Sequence, residues 1–262
     1  MTTQQPAQSS RPVAIVTGAS RRKGIGAAAC MELARAGMDI FFTHWTPYDA
    51  SMEFATEGED TPSALQSRVI ALGVRCEHLS VNLAEVSAPA LIMDTVEGRL
   101  GKASVLVNNA VHDPVDAPFD QLDAETLDAY YAVNMRGTML LSVEFARRFT
   151  GGMGGRIINM TSGQGRGPMP GKLPYVATKG AIEAFTVTLS AEVAPLGITV
   201  NAVDPGPTDT GWMTDEIRGY LLPRFPMGRI GQAEDAANLI ALLASERAGW
   251  VTGQIIRSTG GF

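Results

Sequence analysis

Residues 12–36 join an apolar run, P-V-A-I-V, to a glycine-rich turn, T-G-A-S-R-R-K-G-I-G, and then to an alanine-rich stretch, A-A-A-C-M-E-L-A-R-A. A chain that passes from a buried strand through glycines into a helix has few folds open to it. Glycine lets the backbone come close to a bound group, and the first turn of the next helix offers unpaired N–H groups at the positive end of its dipole. A second strand-like run, D-I-F-F-T, follows Gly37. The succession therefore reads as the opening of a parallel α/β sheet with a phosphate cradle at Gly18, Ser20, Gly24, Ile25 and Gly26.

The rest of the chain keeps that rhythm. Apolar runs predict strands near 12–17, 38–43, 74–79, 103–107, 156–160, 198–203 and 253–257. Helical patterns lie between them, near 24–36, 63–72, 86–100, 123–149, 174–194 and 233–244. Runs such as S-V-L-V and R-I-I-N-M are apolar without alternation, which is what a parallel strand covered on both faces requires. Ligands of such sheets bind outside the carboxyl ends of the strands.

One segment places reactive groups at that edge. Ser162 stands thirteen positions before Tyr175, and Lys179 four after it. If Tyr175 opens a helix, with Pro174 in the first turn, phenol and ammonium share a face. A nearby cation is expected to lower a phenol pKa that starts near 10, making Tyr175 a proton donor or acceptor near neutral pH. Asn134 falls inside a predicted helix, where a buried amide must bond something, if only the backbone.

The glycine turn, Asn108-Asn109-Ala110, Asn134, Ser162, Tyr175, Lys179 and Pro205-Gly206 together resemble the short-chain dehydrogenase/reductase family over roughly residues 12–261. The overall look is closest to 3-oxoacyl-carrier-protein reductases. The resemblance implies a single-domain Rossmann-type, doubly wound parallel sheet of about seven strands. It also implies a nicotinamide cofactor and hydride transfer to or from a carbonyl or alcohol substrate. Tyr175 would then give the proton, Ser162 position the oxygen, Lys179 hold the nicotinamide ribose, and Asn134 fix a water in the relay. Asn82, Leu83, Asn109 and Ala110 would meet the cofactor's adenosine side, and Pro205, Gly206, Thr208 and Thr210 its carboxamide.

Departures from the family pattern fall mainly at the adenosine end. The glycine turn is two residues longer, filled by Arg21, Arg22 and Lys23; Val111 follows Ala110 where glycine is usual, and Asn82 replaces a common Asp. The second strand ends in Thr43-His44, with no carboxylate to bond a ribose hydroxyl. His44 and the three cations are thus expected to favour NADP over NAD, unless the acidic stretch Asp49–Asp60 folds back over the phosphate. A solvated face is the other reading of that stretch. Gln164, Trp212 and Met213 are the expected substrate contacts. The apolar segment 211–228, broken by Pro223 and Pro226, is either a mobile lid or a helix packed on the core or on a neighbouring subunit.

A net charge of −6 without a basic tract argues against nucleic acid, and no apolar run approaches membrane-spanning length. His44, His78 and His112 lack metal-ligand spacing, so no metal is expected. Two cysteines suit buried thiols in a reducing cytoplasm. Residues 1–10 read as a disordered tail and 11–262 as one nucleotide-binding and catalytic domain. Small residues at Ala177, Gly180, Ala181 and Ala184 suit close helix packing in a homodimer or homotetramer. Two alternatives stay open on the same scaffold: a cofactor-independent halohydrin-type lyase and a non-catalytic nucleotide sensor.

Overall fold

The seven expected strands form one parallel sheet in the order β3-β2-β1-β4-β5-β6-β9. The computed structural model describes residues 11–51, 61–114 and 116–262. The expected tail at 1–10, and 52–60 of the acidic stretch, lie outside the described residues. The strands are β1 (Val13–Val16), β2 (Asp39–His44), β3 (Cys76–Ser80), β4 (Ala103–Asn108), β5 (Gly155–Met160), β6 (Ile198–Asp204) and β9 (Ile255–Arg257). A two-residue pair, β7 (Thr208–Asp209) and β8 (Gly231–Gln232), stands apart.

Because side chains alternate along a strand, each central strand feeds two cores. Val13 and Ile15 of β1 face α4 (Ala88–Arg99), α6 (Thr138–Arg148) and α7 (Leu173–Val193), through Ile92, Met93, Leu141, Phe145 and Leu189. Ala14 and Val16 face the opposite layer. There α1 (Ile25–Arg35) packs on α9 (Ala233–Ala244), with α3 (Pro62–Ile70) beside them. Both cysteines, Cys30 and Cys76, are free and buried in this second core.

The remaining helices are α2 (Thr46–Ser51), α5 (Ala124–Tyr130) and α8 (Asp215–Leu221). The long helix expected over 123–149 is interrupted by a π-helical turn, Tyr131–Gly137, between α5 and α6. Such turns mark places where the helical ladder is set aside for side-chain geometry. Here Asn134 uses the interruption, and a Cβ at Gly137 would lie 2.8 Å from the Leu83 carbonyl oxygen. Strand order reverses between β1 and β4, which opens a crevice above the first turn.

Candidate functional site

A cavity of 1360 Å³ follows that crevice along the carboxyl ends of the strands, and residues from the β1–α1, β2, β3, β4, β5 and β6 edges line it. It is larger than pockets for one small molecule, which run to about 1,000 Å³.

The β1–α1 turn is shaped for close approach. Gly18 has φ +69°, and a Cβ there would sit 2.6 Å from the Ala110 Cα. A Cβ at Gly26 would meet the Gly18 carbonyl oxygen at 2.6 Å, so α1 starts directly against the turn. Asn109 clamps the same loop: its Nδ2 donates to the Thr17 and Gly18 carbonyls, at 2.9 Å each. The Thr17 hydroxyl accepts from the N–H groups of Asn109 and Ala110, both at 3.0 Å. A backbone cradle with no room for side chains, at the mouth of a long cavity and the start of a helix, fits a dinucleotide's pyrophosphate.

At the other end, Ser162 follows β5 and Tyr175 is the third residue of α7. Both side chains line the cavity, with the Ser162 hydroxyl on the side that favours the Tyr175 phenolate. Lys179, one turn further on, is buried behind them with Nζ 5.7 Å from the centre of the Tyr175 ring. Its ammonium donates to the Met160 carbonyl at 2.8 Å. Burial lowers the Lys179 pKa to about 8, against the pull of Asp113. Tyr175 goes the other way from the sequence expectation. Burial pushes its phenol up, against the pull of the Ser162 hydroxyl and Lys172, while the Lys179 ammonium is spent on the Met160 carbonyl.

Asn134 is buried and does not reach the cavity. Its Oδ1 accepts from the His112 N–H at 2.6 Å, and its Nδ2 donates to the His112 carbonyl at 2.9 Å and to Thr178 Oγ1 at 3.3 Å. The amide thus fixes the turn that departs from the family at Val111, and links it to the helix carrying Tyr175 and Lys179. A second buried network braces the strands below: Asn108 donates to Asn159 and to Ser142, both at 2.8 Å, and Asn159 donates to Thr186 at 2.9 Å.

Most expected contacts line the cavity: Gly18, Ser20, Arg21, Gly24, Ile25, Gly26, His44, Asn82, Leu83, Asn109, Ala110, Pro205, Gly206, Thr208, Thr210 and Trp212. Trp212 is held by its indole N–H on the Thr208 carbonyl at 2.9 Å. Four do not. Arg22 is exposed away from the cavity, and the Lys23 stem runs towards Gly211, 3.6 Å from the position of a Cβ there. The two extra residues of the turn therefore carry Lys23 to the β6 side, not the adenosine end. The Gln164 amide turns back to donate to Thr161 Oγ1 at 3.0 Å, and Met213 is buried beneath the wall.

The structure adds contacts that the sequence reading did not foresee. Asp113 accepts from the Tyr130 hydroxyl at 2.7 Å and pairs with Lys172, which also meets Asp116 at 2.7 Å. Burial opposes the Lys172 charge, but the two carboxylates hold its pKa above the usual range. Arg166 lies 3.4 Å from the buried Asp204 and donates to the Phe262 carbonyl at 2.7 Å. Tyr48 and Asp49 come from α2. His44 and His78, which looked unrelated at a spacing of 34 residues, sit on neighbouring strands with their ring nitrogens 3.2 Å apart. Burial and the adjacent His78 ring hold His44 below the usual imidazole range. Among the described residues no three His, Cys, Asp or Glu side chains group as metal ligands.

A family model described as enoyl-(acyl carrier protein) reductase matches residues 18–262. An uncharacterized oxidoreductase of Bacillus subtilis, YjdA, is 54% identical over 97% of this chain and 98% of its own length. The chain belongs to the short-chain dehydrogenase/reductase family. Other dehydrogenase/reductase relatives include an NADPH-dependent aldehyde reductase-like chloroplastic protein of Arabidopsis thaliana, 35% identical over 95% of this chain and 93% of that one. A 3-oxoacyl-[acyl-carrier-protein] reductase of Staphylococcus epidermidis is 32% identical over 95% and 97%. The solved structure of acetoin dehydrogenase YohF from Salmonella typhimurium superposes with a TM-score of 0.81, at 31% identity over 96% of this chain and 97% of that one.

Proposed function

We propose that this protein is an NADPH-dependent ketone reductase, with 3-oxoacyl compounds among its candidate substrates. The observation that carries the reading is one cavity whose two ends differ in chemistry: a glycine cradle at β1–α1, and Ser162 and Tyr175 facing it together at β5–α7. When bound, the nicotinamide supplies the hydride. Ser162 and Tyr175 then converge on the substrate oxygen; Ser162 orients it and Tyr175 delivers the proton. Lys179, buried behind them on the Met160 carbonyl, would turn one of its remaining N–H groups to the nicotinamide ribose and, titrating near 8, return a proton towards Tyr175. Asn134 holds the turn behind them.

NADPH is favoured over NADH because β2 ends in His44 without a carboxylate and Arg21 lines the adenosine end. The apolar wall of Trp212, Tyr220, Leu221 and Phe262 suits a substrate with a hydrophobic body. Exposed Leu127 and Tyr131 beside Met135 and Ala177 give α5 and α7 an apolar face suited to self-association, and we assign the protein as a homotetramer. Two buried thiols suit a cytoplasmic site of action.

Following NADPH absorbance with β-ketoesters, diketones, quinones and sugars tests the assignment. Turnover of at least one carbonyl class is expected. Dinucleotide binding without any turnover would point to a sensor, and cofactor-free turnover of halohydrins to a lyase.

A further inference from the structure

The adenosine end of the cavity carries an acid that does not come from β2. Only Trp45 separates β2 from α2, and α2 lies across the cavity mouth. Asp49 accepts a 2.6 Å hydrogen bond from the Ser20 hydroxyl in the glycine turn. One residue earlier, the Tyr48 hydroxyl accepts from the Asp113 N–H at 3.1 Å, with the Tyr48 ring 5.5 Å from that of His112. The short helix is thus pinned on both sides of the crevice, to the β1–α1 turn and to the loop after β4. Ser20, Arg21, His44, Tyr48 and Asp49 all line the cavity.

We propose that Asp49 is the residue of this chain that discriminates between the two nicotinamide dinucleotides, by occupying the Ser20 hydroxyl that a 2′-phosphate would bond. The inference rests on the nicotinamide reading above. A serine hydroxyl has one hydrogen to give, and Ser20 gives it to Asp49. A phosphate brought beside Ser20 and Arg21 meets a carboxylate of its own sign, and like charges a few ångströms apart repel. NADP therefore binds by displacing Asp49 from Ser20. NAD, with a neutral hydroxyl in that place, leaves the contact alone. Arg21 and Asp49 act in opposition, and the preference of the wild-type protein is their difference.

Dissociation constants of NADP⁺ and NAD⁺, measured by titration calorimetry on the full-length protein without carbonyl substrate, test this. Asp49→Asn is expected to tighten NADP⁺ about ten-fold, about 1.4 kcal/mol, while leaving NAD⁺ nearly unchanged. In a Ser20→Ala background the same substitution should gain much less, since the contested hydroxyl is gone. Equal effects of Asp49→Asn on both dinucleotides would overturn the assignment. So would weaker NAD⁺ binding, which would make Asp49 a ribose ligand. Wild-type protein that binds neither dinucleotide would overturn the nicotinamide reading, and this inference with it; an unchanged ratio with intact binding overturns this inference alone.

Discussion

The two ends of the cavity are built by different means. At the catalytic end Tyr175 and Lys179 ride on α7, Ser162 stands two residues past β5, and their neighbours are locked beneath the surface: Lys179 on the Met160 carbonyl, Asn134 on His112 and Thr178, Asn108 on Asn159 and Ser142. At the adenosine end the polar groups stand on loops and on the six-residue α2, and they bond one another across the cavity mouth. Bonds between strands and helices of the core fix geometry, whereas part-buried contacts between loops can be exchanged at less cost to the fold. Chemistry and cofactor choice are therefore separable in this molecule.

The sharpest way to break that contrast is at Tyr175. Tyr175→Phe should lower turnover by about 10²- to 10⁴-fold, leaving dinucleotide affinity and the unfolding midpoint close to wild type. A variant that turned over at the parent rate would remove the distinction. One layer deeper, Asn159→Leu should destabilise the fold, since Asn108 and Thr186 lose buried partners at about 1–3 kcal/mol each. Urea unfolding reads this directly.

That deeper layer also shows why the fold was legible in the sequence. Parallel strands buried on both faces leave continuous apolar runs, so all seven strands of the main sheet lie within about two residues of where V-A-I-V, S-V-L-V and the others placed them. The Ser162, Tyr175 and Lys179 geometry was legible too, because a helix converts a spacing of four into proximity. The helix T-P-Y-D-A-S was not, since it has no apolar period and is held by Ser20 and Asp113 from distant parts of the chain. Gln164 and Lys23 failed for a related reason: closeness in sequence to Ser162 or to the cradle does not say which way a short loop turns its side chains.

Smaller effects sharpen the comparison. Arg21→Ala should narrow the preference for NADPH about ten-fold, as expected for losing a hydrogen bond to a charged group, without altering turnover at saturating cofactor. The smallest concerns pH. Lys179 titrates near 8 in the fold and an ordinary lysine at 10.5, so between those values the unfolded chain binds more protons and stability rises with pH. Relative to Lys179→Met, the cofactor-free wild type should gain roughly 1 kcal/mol between pH 8 and 9. Differential scanning calorimetry at the two pH values checks the sign; a constant gap would mean Lys179 is not held as a depressed base.

The packing of α1 against α9 has a consequence for biogenesis. The first helix is made early and its partner late, so the apolar face of Ala29, Leu33 and its neighbours emerges from the ribosome long before Ala237 and Ile240 exist to cover it. At about 5–20 residues per second, the interval between Arg35 and Ala233 amounts to tens of seconds. During that time β1 to β4 can pair in order of synthesis and α3 can settle beside α1, but the face that α9 covers stays bare. Slowing translation in the second half of the message should therefore lower the yield of soluble protein more than slowing it in the first.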